Sequence, residues 1–543
     1  MALTPSLLRC HSFLGRFAST SSHIRKSRQL DNQISLWQLD SAVFALTSSL
    51  MVSAQASPLL GAFQHTRVPL GSSALPSRGG RRLSSRRAIV EAQSKLKKSS
   101  GRKFLFLGHM KEFRSSPGFI QVKRRPGVVT APSASNWDAL PAVAAAGLSV
   151  LAILVGAQLR EKALEVLGGG AFNAFILSKL TELEKPYKPY PLLTNRHVET
   201  IFAAFFRSLP SLTYRRECLR MADGGTVALD WPQPEIQDPK AVLILLPGLT
   251  GGSDDTYVQH LTRRASKQGW QVVVFNSRGC ADSPVTTPQF YSASFTEDLR
   301  QVVKHTAFLF PSKRVYAAGW SLGANILVRY LGQEAERCPL SGAVSLCNPF
   351  DLVVADEDFH IGFNNVYDKS LANGLRKIFA KHAHLFEDIG GDYNIHLVAN
   401  ATTVRDFDDG LTKVSFGYKT VDEYYFASSS SRSIKDVKVP LLCIQALTDP
   451  IAPERGIPRA DIEANPNCLL VVTPYGGHLG WISGDEAPFG CPWTDPLIMQ
   501  YLDALEEVGL DHPDFRKAQE QDGDVELAGF SSRRATEKPG LME

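Results

Sequence analysis

The sequence predicts an α/β fold: a mainly parallel sheet with helices on both faces and a helical cap inserted over it. Three observations carry this expectation. From residue 186 to about 514, short apolar runs alternate with stretches of helical periodicity, the pattern of buried strands joined by helices. The run at 241–246 is apolar throughout and stops at Pro247-Gly248, as a strand buried on both faces does. Finally, about 90 residues, roughly 348–437, carry helical patches but no strand signal, which is too long for a plain loop.

The elements follow in order. Segments 212–221 and 226–231 flank Asp223-Gly-Gly and read as a hairpin turning at those glycines. After the strand Ala241-Val-Leu-Ile-Leu-Leu come a helix at 256–267 and the strand Gln271-Val-Val-Val-Phe. Segment 295–310 is helical, with Glu297 and Asp298 suiting the positive end of its dipole. Arg314-Val-Tyr-Ala-Ala is a strand and 322–331 a helix. Gly342-Ala-Val-Ser-Leu-Cys, Pro440-Leu-Leu-Cys-Ile-Gln and Cys468-Leu-Leu-Val-Val complete the series. In the cap, 371–382 reads as helix and Tyr424-Tyr-Phe as an aromatic cluster.

The chain has 543 residues and a net charge of +5, unevenly divided. Residues 1–130 hold 21 basic and 4 acidic side chains and the remainder 38 and 50. An acidic body argues against nucleic-acid binding, whose usual footprint is a basic face. Residues 1–92, rich in Ser, Arg and Ala, have the composition of an organelle transit peptide, with a plastid as the expected destination. Residues 93–138 form a basic linker. The 21 uncharged residues 139–159 would span about 30 Å as a helix and are expected to cross a membrane once. Residues 515–543 are polar and expected to be disordered. The eight cysteines lack metal-ligand spacing and read as reduced thiols, with no structural zinc site.

The chemistry concentrates in Gly319-Trp-Ser321-Leu-Gly323, between an expected strand and an expected helix. Glycines there allow a sharp turn that exposes the Ser321 hydroxyl. An alcohol is a weak nucleophile at neutral pH, so it needs a base, and the base needs a group to fix its tautomer. Asp449, in Thr448-Asp-Pro, and His478, in Gly476-Gly-His-Leu-Gly, each follow an expected strand in the order acid, then base. Asp255 and Asp485 are weaker acid candidates. Cys280 has no histidine pattern to serve it, and Asn276-Ser-Arg-Gly-Cys is read as pocket wall. Pro247-Gly-Leu-Thr-Gly-Gly suits an oxyanion loop, so the backbone N–H groups of Leu249 and Leu322 are assigned to stabilise a developing negative oxygen.

With these residues in hand, the chain resembles the α/β-hydrolase superfamily, and within it the family-4 serine esterases and lipases that include the plant embryogenesis-associated hydrolases. The resemblance covers roughly 190–505. It rests on Asn195-Arg-His-Val-Glu-Thr-Ile, Leu229-Asp-Trp, Pro247-Gly-Leu-Thr-Gly-Gly, Asn276-Ser-Arg-Gly-Cys, Gly319-Trp-Ser-Leu-Gly-Ala-Asn, Thr448-Asp-Pro-Ile and Gly477-His-Leu-Gly. It implies Ser321 as nucleophile, Asp449 as orienting acid, His478 as base, and an N-terminal membrane anchor. Leu246 stands where many related hydrolases carry histidine before the oxyanion loop, and no H-x-x-x-x-D acyltransferase pattern occurs among the 13 histidines. The expected activity is hydrolysis of a lipophilic or short-chain carboxylic ester, such as a monoacylglycerol, with no metal or organic cofactor. The alternatives are an acyltransferase using the same triad and a ligand-binding member without catalysis.

Overall fold

The computed structural model describes residues 163–508 except 192, 387 and 388. The leader, the linker, the apolar segment 139–159 and the tail 515–543 lie outside the described residues. Among the described residues, no helix is long and apolar enough to cross a membrane.

Nine strands form one sheet: β1 (Glu165–Leu167), β2 (Tyr214–Arg220), β3 (Thr226–Pro232), β4 (Val242–Leu246), β5 (Gln271–Asn276), β6 (Val315–Trp320), β7 (Gly342–Leu346), β8 (Leu441–Ala446) and β9 (Cys468–Thr473). Their spatial order is β1-β9-β8-β7-β6-β4-β5-β3-β2. Strands β4 to β9 run parallel, while β1, β2 and β3 join antiparallel at the two sides. The parallel strands are buried from end to end, as their apolar runs require.

Alternation along each strand divides its side chains between two helical layers. Leu243, Leu245, Tyr316, Ala318, Leu442 and Ile444 face α1 (Gly170–Lys179), α3 (Thr256–Lys267) and α12 (Thr494–Val508). Val242, Ile244, Val315, Ala317, Leu441 and Cys443 face α4 (Glu297–Leu309), α5 (Leu322–Glu334) and α11 (Arg459–Ala464). Each Val, Leu or Ile fully buried this way contributes about 1.5–3 kcal/mol. Between α1 and β2 lies α2 (Arg196–Phe205).

The domain boundary expected at residue 186 lies too far downstream, because β1 pairs Glu165–Leu167 with Leu470–Val472 and α1 packs into the core. Three residues with Val166 exposed give no apolar run to read. Between β7 and β8 the chain forms α6 (Leu352–Phe359), α7 (Asn364–His382), α8 (Ile395–Asn400), α9 (Val404–Phe407), a π turn at Asp408–Thr412 and α10 (Val421–Ser428). A separate apolar cluster, including Leu375, Phe379, Val398 and Phe407, holds this cap, and the Leu249 side chain packs against it.

Candidate active site

The site lies beyond the carboxyl ends of the parallel strands, where open α/β sheets meet ligands. Ser321 follows β6 directly with φ 53° and ψ −119°, a left-handed strained turn that opens α5. The glycines around it are required by close approach. A Cβ at Gly323 would stand 2.2 Å from the Leu246 carbonyl oxygen, and one at Gly319 would stand 2.7 Å from the Gly323 oxygen. This strain persists because the strand and helix on either side fix it.

Asp449 follows β8 and His478 follows β9. Both are buried, at 1% and 6% exposure. His478 Nδ1 lies 2.8 Å from Asp449 Oδ2 and 3.0 Å from Oδ1. Oδ1 also accepts from the backbone N–H groups of Ile451 and Ala452, each at 2.8 Å. The carboxylate is therefore held from behind while it faces the imidazole. No hydrogen bond joins the Ser321 hydroxyl to His478 among the described residues; such contacts often tighten only when substrate binds. Behind the site the Cys347 thiol is fully buried, and burial pushes its pKa well up.

Leu249 follows β4 in the loop facing Ser321, and Gly248 leaves room for that approach: its Cβ would meet Ser321 Cβ at 3.3 Å. The neighbouring amides are occupied. Gly248 N–H donates to Tyr257 Oη at 3.1 Å, Thr250 N–H to Tyr291 Oη at 2.9 Å, and Gly252 N–H to Asp255 Oδ2 at 3.0 Å. Leu249 N–H and Leu322 N–H have no acceptor among the described residues. The sequence assigned these two amides. It gave no sign of the tyrosines, because neither neighbours the loop's motif in a way that foretells a hydroxyl aimed at it.

The other candidates fall elsewhere. Asp255 caps the loop at 247–252 and accepts from Tyr257 Oη, and Asp485 is exposed. Cys280 is buried, which pushes its thiol up to about 12 and keeps it protonated. Arg278, expected in the pocket wall, is instead buried in ion pairs with Asp298 at 2.6 Å and Asp223 at 2.7 Å, tying the β2–β3 turn to α4. Asp230 of the Leu-Asp-Trp motif accepts from Ser253 Oγ, Asn276 Nδ2 and Arg216, anchoring the far end of the loop after β4. On the cap, a polar recess of about 330 Å³ is lined by Arg405, Asp409, Lys413 and Asp422, with Arg405 paired to Asp422 and Lys413 to Asp409.

A parallel sheet that presents a strained serine elbow, a carboxylate-bound histidine and two open amides at one rim defines the α/β-hydrolase class. Residues 241–485 match the family profile described as alpha/beta hydrolase fold. The embryogenesis-associated protein EMB8 of Picea glauca is 65% identical over 368 residues, covering 66% of this chain and 80% of that protein. A Mus musculus protein named phospholipase ABHD3 is 33% identical over 351 residues, 63% of this chain and 84% of its own. A Saccharomyces cerevisiae protein named monoacylglycerol lipase is 30% identical over 390 residues, 62% and 85% respectively. The chain belongs to the α/β-hydrolase superfamily, in the group that includes the embryogenesis-associated proteins.

Proposed function

We propose that the chain is a serine hydrolase of lipophilic carboxylic esters that works through an acyl-enzyme on Ser321. The observation that carries this reading is the buried His478–Asp449 pair, with Nδ1 within 2.8 Å of Oδ2, facing the same rim as the Ser321 elbow. His478 Nε2 takes the serine proton as Oγ attacks the ester carbonyl carbon. The resulting oxyanion is received by Leu249 N–H and Leu322 N–H, whose value lies in being already aimed when the charge forms. The imidazolium, stabilised by Asp449, then gives its proton to the leaving alcohol as the carbon–oxygen bond breaks. Water attacks the acyl group in the same way: His478 takes its proton, the acid departs, and Ser321 regains its hydroxyl.

The substrate class is supported by the apolar cap packed on Leu249 and by relatives named for phospholipase and monoacylglycerol lipase activity. A fluorophosphonate probe, which bonds to activated serines, tests the reading. The chain should be labelled stoichiometrically and Ser321→Ala not at all. Equal labelling of the variant would remove Ser321 from the role.

A further inference from the structure

The segment Asn195-Arg-His-Val-Glu-Thr-Ile takes no part in the chemistry above, yet it forms α2, and α2 is laid directly on the loops of the acid and the base. Asn195 starts the helix by accepting from the N–H groups of His197 and Val198. Arg196 then donates to the carbonyls of Thr448 and Asp449, at 3.3 and 3.0 Å. Glu199, fully buried, accepts from Gly476 N–H at 3.0 Å with one oxygen and from Ile482 N–H at 2.9 Å with the other, so it grips the histidine loop at both ends. Thr200 Oγ1 accepts the N–H of His478 itself at 2.9 Å. Just past the helix, Arg207 donates to the carbonyls of Leu479 and Gly480.

The loop needs this support. Leu479 and Trp481 have φ of 64° and 44°, left-handed conformations that each cost about 1–3 kcal/mol and persist only where surrounding contacts over-determine them. The glycines beside His478 complete the fit. A Cβ at Gly477 would stand 2.6 Å from Thr200 Oγ1, and one at Gly480 would stand 2.6 Å from Glu199 Cγ. The two motifs, some 280 residues apart, are the halves of one contact. On its other side α2 meets the cap, where His197 Nδ1 lies 3.1 Å from Tyr367 Oη and its ring packs on Phe363. Burial holds the His197 imidazole neutral, lowering its pKa to about 4.

We infer that α2 is the positioning element of the catalytic base, with Thr200 setting the place of His478 and Glu199 anchoring its loop. The inference rests on the serine-hydrolase reading for its kinetic consequence, not for its structural one. It is tested on the full chain with Thr200→Val, which keeps the shape and removes the acceptor, and Thr200→Ser, which restores the acceptor. Turnover of a p-nitrophenyl acyl ester is normalised to sites titrated with fluorophosphonate. The downfield Nδ1 proton shared by His478 and Asp449 is read by proton NMR without substrate.

T200V should lower kcat per labelled site by about 10- to 100-fold, the scale of a misplaced catalytic group, leave KM within about twofold, and move or broaden the NMR resonance. T200S should recover both. A merely structural residue would reduce the number of labelled sites, not turnover per site. Wild-type turnover and an unmoved resonance in T200V, or a T200S as impaired as T200V, would overturn the inference. If T200V does not fold, Glu199→Gln decides by the same readouts, since an amide leaves one of the two loop N–H groups without an acceptor. A wild-type chain that neither labels nor turns over ester would defeat the hydrolase reading, and the NMR resonance would still judge α2.

Discussion

Replacing Asp449 by asparagine separates orientation of the base from the mere presence of a polar neighbour. The wild-type carboxylate directs Oδ1 at two backbone N–H groups, of Ile451 and Ala452, and presents Oδ2 to His478 Nδ1. An asparagine has one oxygen to distribute. Turned with that oxygen toward the two amides, it keeps both bonds and puts its NH2 against Nδ1. The opposite orientation leaves two buried N–H groups facing an NH2, a cost of about 1–3 kcal/mol each, to regain one bond to the imidazole. Two against one favours the first. An NH2 facing Nδ1 makes Nδ1 the acceptor and puts the ring proton on Nε2, where it cannot receive the serine proton. The expected loss is about 10⁴ in kcat, or about 5 kcal/mol of transition-state stabilisation, with thermal stability nearly unchanged because the turn at 451–452 is kept. Steady-state hydrolysis of a p-nitrophenyl ester measures it. A loss smaller than about tenfold would refute both the tautomer argument and the orienting role of Asp449.

Two further outcomes follow from other parts of the structure. Tyr291→Phe frees Thr250 N–H beside Leu249, whose N–H is proposed as an oxyanion donor; kcat should fall about tenfold, a fraction of the 10²–10³ that a lost donor costs, with KM little changed, and wild-type kcat would show that the loop holds itself. Asp408 in the cap is buried, which pushes its carboxyl up to about 7 although Tyr425 Oη donates to it at 2.9 Å. The folded cap thus keeps a proton that the unfolded chain releases near pH 4, so this contribution is whole below pH 4 and lost as pH rises through about 7, with a ceiling of about 4 kcal/mol. Melting curves between pH 4.5 and 8 should slope downward more for the wild type than for Asp408→Asn; parallel curves would contradict it.

The strands β4 to β9 were legible because burial on both faces leaves a continuous apolar run, and the places of Ser321, Asp449 and His478 in the fold were legible because each follows such a run. What escaped was set by contacts distant in sequence. Glu165–Leu167 is a strand only because β9 offers it an edge. Within the cap, segment 371–382 was expected as helix and α7 begins earlier, at Asn364, while α8 and α9 have six and four residues, too short to show a period. The hydroxyls of Tyr257 and Tyr291, which accept from Gly248 and Thr250 N–H, and the grip of α2 on the histidine loop, involve residues whose local sequence says nothing of where their polar atoms will point. The ion pairs of Arg278 escaped for the same reason: its partners Asp223 and Asp298 lie 55 and 20 residues away.

The two outer margins of the sheet are guarded in different ways. On one side β2 exposes Arg215, Arg216 and Arg220, long charged side chains that discourage pairing with a further strand. On the other, β9 carries almost only aliphatic side chains and relies on the three residues of β1 to close its open row of amides and carbonyls. A chain trimmed to begin at residue 186 would keep Ser321, Asp449 and His478 and lose that seal. It would bare a sticky ribbon one strand away from Asp449, inviting self-association at the very margin where His478 is held.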